Sequence, residues 1–304
     1  MTVAPGALVP QISPAEIDAA RALIALARDE DLSPPGDVTT AALVAPDWTG
    51  CVTIGSRQPG VIAGLPIVAL VREEFSGRFD VELLAADGDV VSAGQVVARL
   101  AGSLADLLMA ERTILNLLSY LSGIATTTRR FVDAIAGTKA GVYDTRKTLP
   151  GYRLLGKYAV RAGGGRNHRM GLFDQVLVKD NHLAGWLATH PGLPAAEALR
   201  LAVVQAKTSR PDLVIEVEVD SLDQLRAVLR GPVDIVLLDN MPPAMLREAV
   251  AIRNEVAPAV ELEASGGVSL TTIRAIAETG VERISVGALT HSPVILDLGF
   301  DWQA

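Results

Sequence analysis

The chain has 304 residues, enough for one large domain or two modest ones with a sizeable core. Hydrophobic residues make up 49% and charged residues 20%, ordinary globular values, while aromatics at 4% leave Ala, Val and Leu to fill the interior. A formal net charge of −8 argues against a general nucleic-acid or membrane-surface binder, because phosphate backbones need a basic face.

Cys51 is the lone cysteine, so no intrachain disulfide forms and a reducing compartment is expected. It lies in a strand-like run, Cys51-Val52-Thr53-Ile54, which suits a small buried hydrophobe rather than a nucleophile. Met1-Thr2-Val3-Ala4-Pro5-Gly6 lacks the charged and apolar regions of a signal peptide, and no apolar stretch approaches the ~20 residues of a membrane span. The expected location is cytoplasmic.

In chain order, the first twelve residues read as a tail. Ser13-Pro14-Ala15-Glu16 opens a helix: Ser13 caps it, Pro14 suits the first helical position, and Glu16 completes a capping box. Ile17, Ala20, Ile24 and Ala27 continue it at helical spacing, and Ser33-Pro34-Pro35-Gly36 ends it. Short β-branched runs separated by glycines, Cys51–Ile54, Gly60–Ala63, Val81–Ala85 and Val96–Leu100, predict a small sheet-rich layer. The turn at Gly88-Asp89-Val90-Val91-Ser92-Ala93-Gly94-Gln95 resembles that of a biotinyl or lipoyl carrier domain without its lysine, and reads as structural. Two helices follow, Leu104–Leu121 and Ile124–Ile135, the second stopped by Gly137.

After Gly137, apolar strand-like runs alternate with helical segments, which predicts a parallel sheet. The runs end in Asp144-Thr145-Arg146-Lys147, Lys179-Asp180-Asn181, Glu218-Val219-Asp220, Asp239-Asn240, Ser265-Gly266-Gly267 and Val286-Gly287-Ala288. Polar groups at the carboxyl ends of successive strands mark an α/β barrel, where those ends share one mouth. A doubly wound open sheet is the alternative, without a Gly-x-Gly-x-x-Gly after the first strand to support it.

Those strand ends carry the chemistry. Arg153, Lys157 and Arg161 recur every four residues and read as a solvated helix face. Arg146, Lys147 and Lys179 close apolar strands, so a barrel would aim them into its mouth, where desolvated charges need anionic partners. His168-Arg169 follows a glycine triplet and adds a ring nitrogen and a guanidinium fork. Glu216 and Glu218 share a strand face, Glu218 nearer the carboxyl end, and Asp239 ends the next strand. The pair Glu218–Asp239 suits either a divalent metal held with substrate phosphates or salt bridges to the lysines. The loops at Ser265-Gly266-Gly267 and Val286-Gly287-Ala288 expose backbone N–H groups suited to a phosphate.

These segments resemble the quinolinate phosphoribosyltransferase family, also called nicotinate-nucleotide pyrophosphorylase (carboxylating). The matching pieces run in family order from about Asp29 to His291. They include Gly36-Asp37-Val38-Thr39-Thr40, Glu111-Arg112-Thr113, Asp144-Thr145-Arg146-Lys147-Thr148, Asn167-His168-Arg169-Met170-Gly171-Leu172, Lys179-Asp180-Asn181-His182, Glu216-Val217-Glu218, Leu238-Asp239-Asn240 and Glu263-Ala264-Ser265-Gly266-Gly267. The resemblance implies an N-terminal α/β sandwich domain over 1–123, completed by 291–304, and an incomplete, seven-stranded α/β barrel over 124–290. It implies a homodimer, Mg²⁺, and conversion of quinolinate and phosphoribosyl pyrophosphate (PRPP) to nicotinate mononucleotide, pyrophosphate and CO2. By the same resemblance, Arg146, Arg169 and Lys179 grip the quinolinate carboxylates, joined by Arg112 from the partner subunit. Thr145, Lys147 and His168 line the same site, Lys147, Glu218 and Asp239 being the catalytic candidates. Glu218 and Asp239 place ribose hydroxyls and metal, and the Ser265–Gly267 and Val286–Ala288 loops hold the 5-phosphate. Arg166 departs from the small or apolar residue usual there; it either points outward or adds charge that alters selectivity. A related transferase with another anionic acceptor, or a non-catalytic sugar-phosphate sensor, is the alternative reading.

Overall fold

The computed structural model describes residues 11–190 and 192–303, so the expected tail lies, save its last two residues, outside the described residues. Two compact units emerge: one takes in the chain to Arg129, then 147–165 and everything from Leu289; the other takes in Arg130–Arg146 and Arg166–Ala288. Among the described residues no helix is long and apolar enough to cross a membrane.

The first unit opens with α1 (Pro14–Leu32), capped as its sequence predicts: Ser13 Oγ accepts from the Glu16 N–H, and Glu16 Oε2 accepts from the Ser13 N–H at 2.8 Å. A short α2 (Val38–Leu43) follows, N-capped by Asp37. Next come β1 (Thr49–Ser56), β2 (Gly60–Val61), α3 (Leu65–Glu74), β3 (Phe79–Leu83), β4 (Val90–Val91) and β5 (Val96–Ser103). The sheet-rich layer is therefore interrupted by a helix. Its run Leu65-Pro66-Ile67-Val68-Ala69-Leu70-Val71 buries Leu65, Ile67, Val68, Leu70 and Val71, so it has no polar face to betray a helical period. The Asp87 carboxylate accepts the Gly64 and Leu65 N–H groups, at 2.8 and 2.9 Å, and the Tyr158 hydroxyl, which identifies the helix start only in three dimensions.

Where two helices are expected at 104–121 and 124–135, one helix runs without a break, α4 (Leu104–Ala134). Gly123 is not a stop. A Cβ there would come within 2.4 Å of the Val294 carbonyl oxygen, so the glycine admits a close backbone approach.

The remaining elements are β6 (Gly141–Tyr143), α5 (Arg153–Ala162), β7 (Val176–Val178), α6 (Asp180–Thr189), α7 (Ala195–Ser209), β8 (Ile215–Val219), α8 (Leu222–Val228), β9 (Ile235–Asp239), α9 (Pro243–Val256), β10 (Glu261–Ser265), α10 (Ile273–Ala277), β11 (Arg283–Ser285), α11 (Ala288–His291) and β12 (Leu298–Gln303). In the first unit β12 pairs antiparallel with β1, giving a sheet of order β12-β1-β5-β3. Helix α5 corrects the reading of its basic residues. Lys157 is fully buried, and Arg161 forms a 2.9 Å ion pair with the buried Glu16. An i, i+4, i+8 charge pattern shows a shared helix face, and here that face meets α1 instead of water.

The second unit is α/β. Its sheet is parallel throughout, six strands in the order β6-β11-β10-β9-β8-β7, and a single-residue parallel bridge joins Tyr143 to Arg166. Ile215, Val217 and Val219 alternate with Glu216 and Glu218, and Leu262 and Ala264 with Glu261, Glu263 and Ser265. Alternation places the acids of each strand on one face.

Candidate active site

The carboxyl ends of the second unit's strands gather most of the expected residues. Lys179, which N-caps α6 just beyond β7, forms a 2.5 Å ion pair with Glu218 of β8. Asp239 ends β9, and register places it opposite Ser265 of β10. Lys179, Glu218 and Asp239 border a cleft of about 240 Å³, whose apolar wall includes Leu183, Leu187 and Leu199. The lysine–carboxylate salt bridge expected as one alternative for the acid pair thus forms at Glu218.

Arg146 and Arg169 are neighbours. Burial first, then the nearby Arg146 charge, pull the Arg169 pKa below its ordinary value. Arg169 donates to the Gln175 carbonyl at 3.4 Å. The Arg146 Nε is buried without a hydrogen-bond partner. Neither arginine forms an ion pair among the described residues. Two adjacent cations left in this state are costly and favour an anion with two acceptor groups.

The loops differ in form. Asn240 and Gly266 both have positive φ, 54° and 94°, and a Cβ on Gly266 would meet the Asn240 Oδ1 at 2.1 Å. The Asn240 N–H donates to the Ser265 carbonyl at 2.9 Å, which ties the ends of β9 and β10 together. Gly267, at φ 59°, faces open space, so its backbone is approachable. Val286 is buried and its N–H donates to the Tyr143 carbonyl at 2.9 Å, while Gly287 and Ala288 are half-buried.

Thr145 is half-buried beside Arg146. Lys147 and Arg112 belong to the first unit. Lys147 is exposed, and its carbonyl accepts from the Thr290 hydroxyl at 2.9 Å. Arg112 projects from α4 with its side chain 63% exposed, on the rim of a cleft of about 360 Å³ that also includes Tyr120, Leu149 and Tyr152. Arg166 is exposed; its guanidinium lies 5.9 Å from the Tyr143 ring centroid and donates to the Tyr143 hydroxyl at 3.3 Å.

His168 sits one layer beneath, where the sequence reading stopped short. Its Nε2 lies 3.0 Å from Glu216 Oε2 and 3.4 Å from Glu263 Oε1, and both glutamates are fully buried. Arg283 Nε donates to Glu263 Oε2 at 2.6 Å, and the Gln175 amide donates to Glu216 Oε2. Arg283 also stacks 3.9 Å above the Tyr143 ring. Asp144, likewise buried, accepts the His168 N–H at 2.9 Å and the Asn167 amide at 2.6 Å. Glu216, Glu263, Arg283, Gln175 and Asp144 were not singled out as site residues. Their signal was present: a charged residue alternating with apolar ones in a strand faces the same way as the site residue two positions on. The ligand atoms of His168, Glu216 and Glu263 lie within 4.8 Å of one another, as metal ligands would. Arg283 and Gln175 donate to Oε2 of Glu263 and Glu216, while the buried Oε1 of each has no hydrogen-bond partner; with the Arg283 guanidinium in direct contact, we read the arrangement as an ion-pair network.

Burial alone would lower the His168 pKa, but hydrogen bonds and charge from Glu216 and Glu263 outweigh it and raise the pKa to about 9. The Arg169 N–H points at Nδ1 from 2.7 Å, a contact that suits a neutral ring; one amide dipole is weaker than two carboxylates, and the charged ring is the state we assign. Burial and the Glu263 charge raise the Glu216 pKa, whereas His168 and Arg283 overcome burial to lower that of Glu263. The folded-state His168 pKa lies above its ordinary 6.5, so its stabilisation is complete below pH 6.5 and is lost as pH rises through 9. The gap corresponds to roughly 3 kcal/mol. Urea titrations across that pH range are expected to show falling stability, with most of the slope lost in His168→Gln; a flat wild-type profile would contradict the charged ring.

Fold and site together place the chain among α/β proteins that present anion-binding side chains at the carboxyl ends of a parallel sheet. Two family models match it in succession: quinolinate phosphoribosyl transferase, N-terminal domain, over 37–122, and quinolinate phosphoribosyl transferase, C-terminal domain, over 124–301. The chain is 48% identical over 295 residues to the nicotinate-nucleotide pyrophosphorylase [carboxylating] of Mycobacterium leprae, covering 95% of this chain and 99% of that protein. It is 39% identical over 271 residues to a probable nicotinate-nucleotide pyrophosphorylase [carboxylating] of Bacillus subtilis, covering 88% of each. The solved nicotinate-nucleotide pyrophosphorylase of Francisella tularensis superposes with a TM-score of 0.86 at 36% identity, over 97% of this chain and 99% of that one. The chain belongs to the quinolinate phosphoribosyltransferase family.

Proposed function

We propose that the protein transfers the phosphoribosyl group of PRPP to quinolinate with decarboxylation, yielding nicotinate mononucleotide, pyrophosphate and CO2, a step of NAD biosynthesis. The family membership supports the reaction, and so do the names of the relatives. The structural observation that carries it is the pair of adjacent guanidinium groups Arg146–Arg169, neither in an ion pair among the described residues, in the unit whose strand ends also carry Glu218 and Asp239. Quinolinate brings two adjacent carboxylates, which match two guanidinium groups and Lys179. Thr145 and Lys147 line the acceptor side, with His168 in the buried layer behind it, and the Ser265–Gly267 and Val286–Ala288 loops take the 5-phosphate, the Val286 N–H itself being held by the Tyr143 carbonyl.

Glu218 and Asp239 are half-buried oxygen donors on neighbouring strands beside the same cleft, a donor set that fits Mg²⁺ held with substrate phosphates. When bound, Mg²⁺ would stabilise charge on departing pyrophosphate. The same carboxylates face the ribose, where departure leaves positive charge that they stabilise. To Lys147 we assign the role of offsetting negative charge on the leaving group. Joining the ribose makes the quinolinate ring nitrogen cationic; when CO2 departs, the electron pair stays on the adjacent ring carbon, stabilised by that positive nitrogen, and is then taken up by a proton from water to form the C–H bond. No serine or cysteine nucleophile is required.

We read the second unit as an incomplete, seven-stranded α/β barrel, a reading supported by the pairing of β11 back onto β6 and by the Tyr143–Arg166 bridge beside the six-stranded sheet. The N-terminal sandwich domain covers 1–123, with 291–304 completing it, a division supported by the β12–β1 pairing; the barrel domain covers 124–290. The enzyme works in the cytoplasm as a homodimer, a reading supported by the single Cys51 and by the exposure of Arg112, which each subunit lends to the other's site.

One assay series tests the proposal. Purified protein with quinolinate, PRPP and Mg²⁺ is expected to release CO2 and nicotinate mononucleotide. A mixture of Arg112→Ala and Lys179→Ala proteins is expected to recover part of the activity that each lacks. Consumption of neither substrate by the wild type overturns the function; no recovery despite subunit exchange overturns the shared site.

A further inference from the structure

The face of a parallel sheet that leads to an α/β active site is ordinarily filled by branched aliphatic side chains. Here Gln175, Glu216, Glu263, Arg283 and His168 fill it instead. Stability does not account for the choice, because a buried ion-pair network rarely outperforms well-packed hydrophobic residues of similar volume. Its connections point elsewhere. Arg283 holds Glu263, Glu216 and Glu263 both meet the His168 ring at Nε2, and Gln175 donates to Glu216. The network then meets Arg169 twice: through the peptide that follows His168, and through the Gln175 carbonyl, which accepts from Arg169 Nη1.

We propose that Gln175, Glu216, Glu263 and Arg283 are positioning residues that fix His168 and Arg169 for the acceptor's carboxylates. None of the four needs to touch the ligand. Each locks a rotamer of the next, and the chain ends on the guanidinium that meets the dicarboxylate. Preorganisation of this kind acts on one substrate, because the chain of contacts reaches the acceptor side and not Ser265–Gly267. The inference rests on the reading of Arg169 as an acceptor-binding residue.

The test compares wild type with Glu263→Gln and Gln175→Ala. Dissociation constants for quinolinate and, separately, for PRPP with Mg²⁺ are measured by calorimetry, alongside thermal melts and CO2 release. Quinolinate binding is expected to weaken about 10- to 100-fold in both variants. PRPP binding is expected to stay within about twofold, and both variants to melt as folded proteins. Gln175→Ala keeps all the buried charges, so it reports positioning even if Glu263→Gln folds poorly. Unchanged quinolinate binding, or parallel loosening of both ligands in folded variants, overturns the proposal. A wild type that binds quinolinate but releases no CO2 overturns the catalytic function while leaving the positioning role intact.

Discussion

Arg169→Ala is expected to lower kcat/KM for quinolinate by about 10³-fold, with folding and PRPP binding preserved. Hydrogen bonds to a charged group contribute about 1.5–3 kcal/mol each, and a guanidinium can make two to one carboxylate. Losing both gives roughly 4 kcal/mol, which is the factor stated. The free protein should not suffer, because Arg169 forms no ion pair among the described residues and lies beside another cation, Arg146. Removing one of two repelling charges relieves strain, so the variant should melt at the wild-type temperature or slightly above it. Active sites often hold such tension between stability and function. Steady-state kinetics and a thermal melt decide the matter. A loss below tenfold would mean that the acceptor is gripped elsewhere.

Arg283→Met is expected to destabilise the protein by about 3–5 kcal/mol, measured by urea unfolding. Arg283 is 9% exposed, and its guanidinium neutralises the fully buried Glu263 at 2.6 Å. Taking it away leaves a carboxylate in a low-dielectric interior with only His168 to balance two acids. Adding Glu263→Leu should recover most of the loss, because the cost lies in the orphaned charge and not in the missing pair. Failure of that second change to restore stability would assign the loss to Arg283 packing on the Tyr143 ring, 3.9 Å away.

The alternation of strand and helix after Gly137, and the polar residues closing each strand, could be read from the sequence because they depend on local period. So could the Ser13–Glu16 capping box, which involves neighbours three residues apart. Helix α3 could not, because a helix apolar on every side carries no periodic signature and its cap, Asp87, lies more than twenty residues away. The break expected at Gly123 failed for a related reason. A glycine marks a need for space or for positive φ, and the Val294 carbonyl that demands the space is remote in sequence. In the site, strand-end residues were readable and the layer beneath was not. Glu216 was passed over for Glu218 because burial of a carboxylate is credible only once Gln175 and His168 are seen beside it. Lys157 and Arg161 were misread on the same principle: spacing tells which residues share a helix face, and only packing tells what the face meets.

The Lys179–Glu218 ion pair lies at the rim of the cleft beside the strand ends. Both side chains retain contact with water, at 42% and 17% exposure, so parting them costs about 1 kcal/mol or less. On the proposed assignment, in which Glu218 takes the sugar's hydroxyls and Lys179 a carboxylate of the pyridine acid, each group keeps the other's place. A substrate that arrives first and draws one of them away releases the other. On that assignment the entry of either substrate prepares the ground for its companion, through a latch too weak to tax the affinity of either.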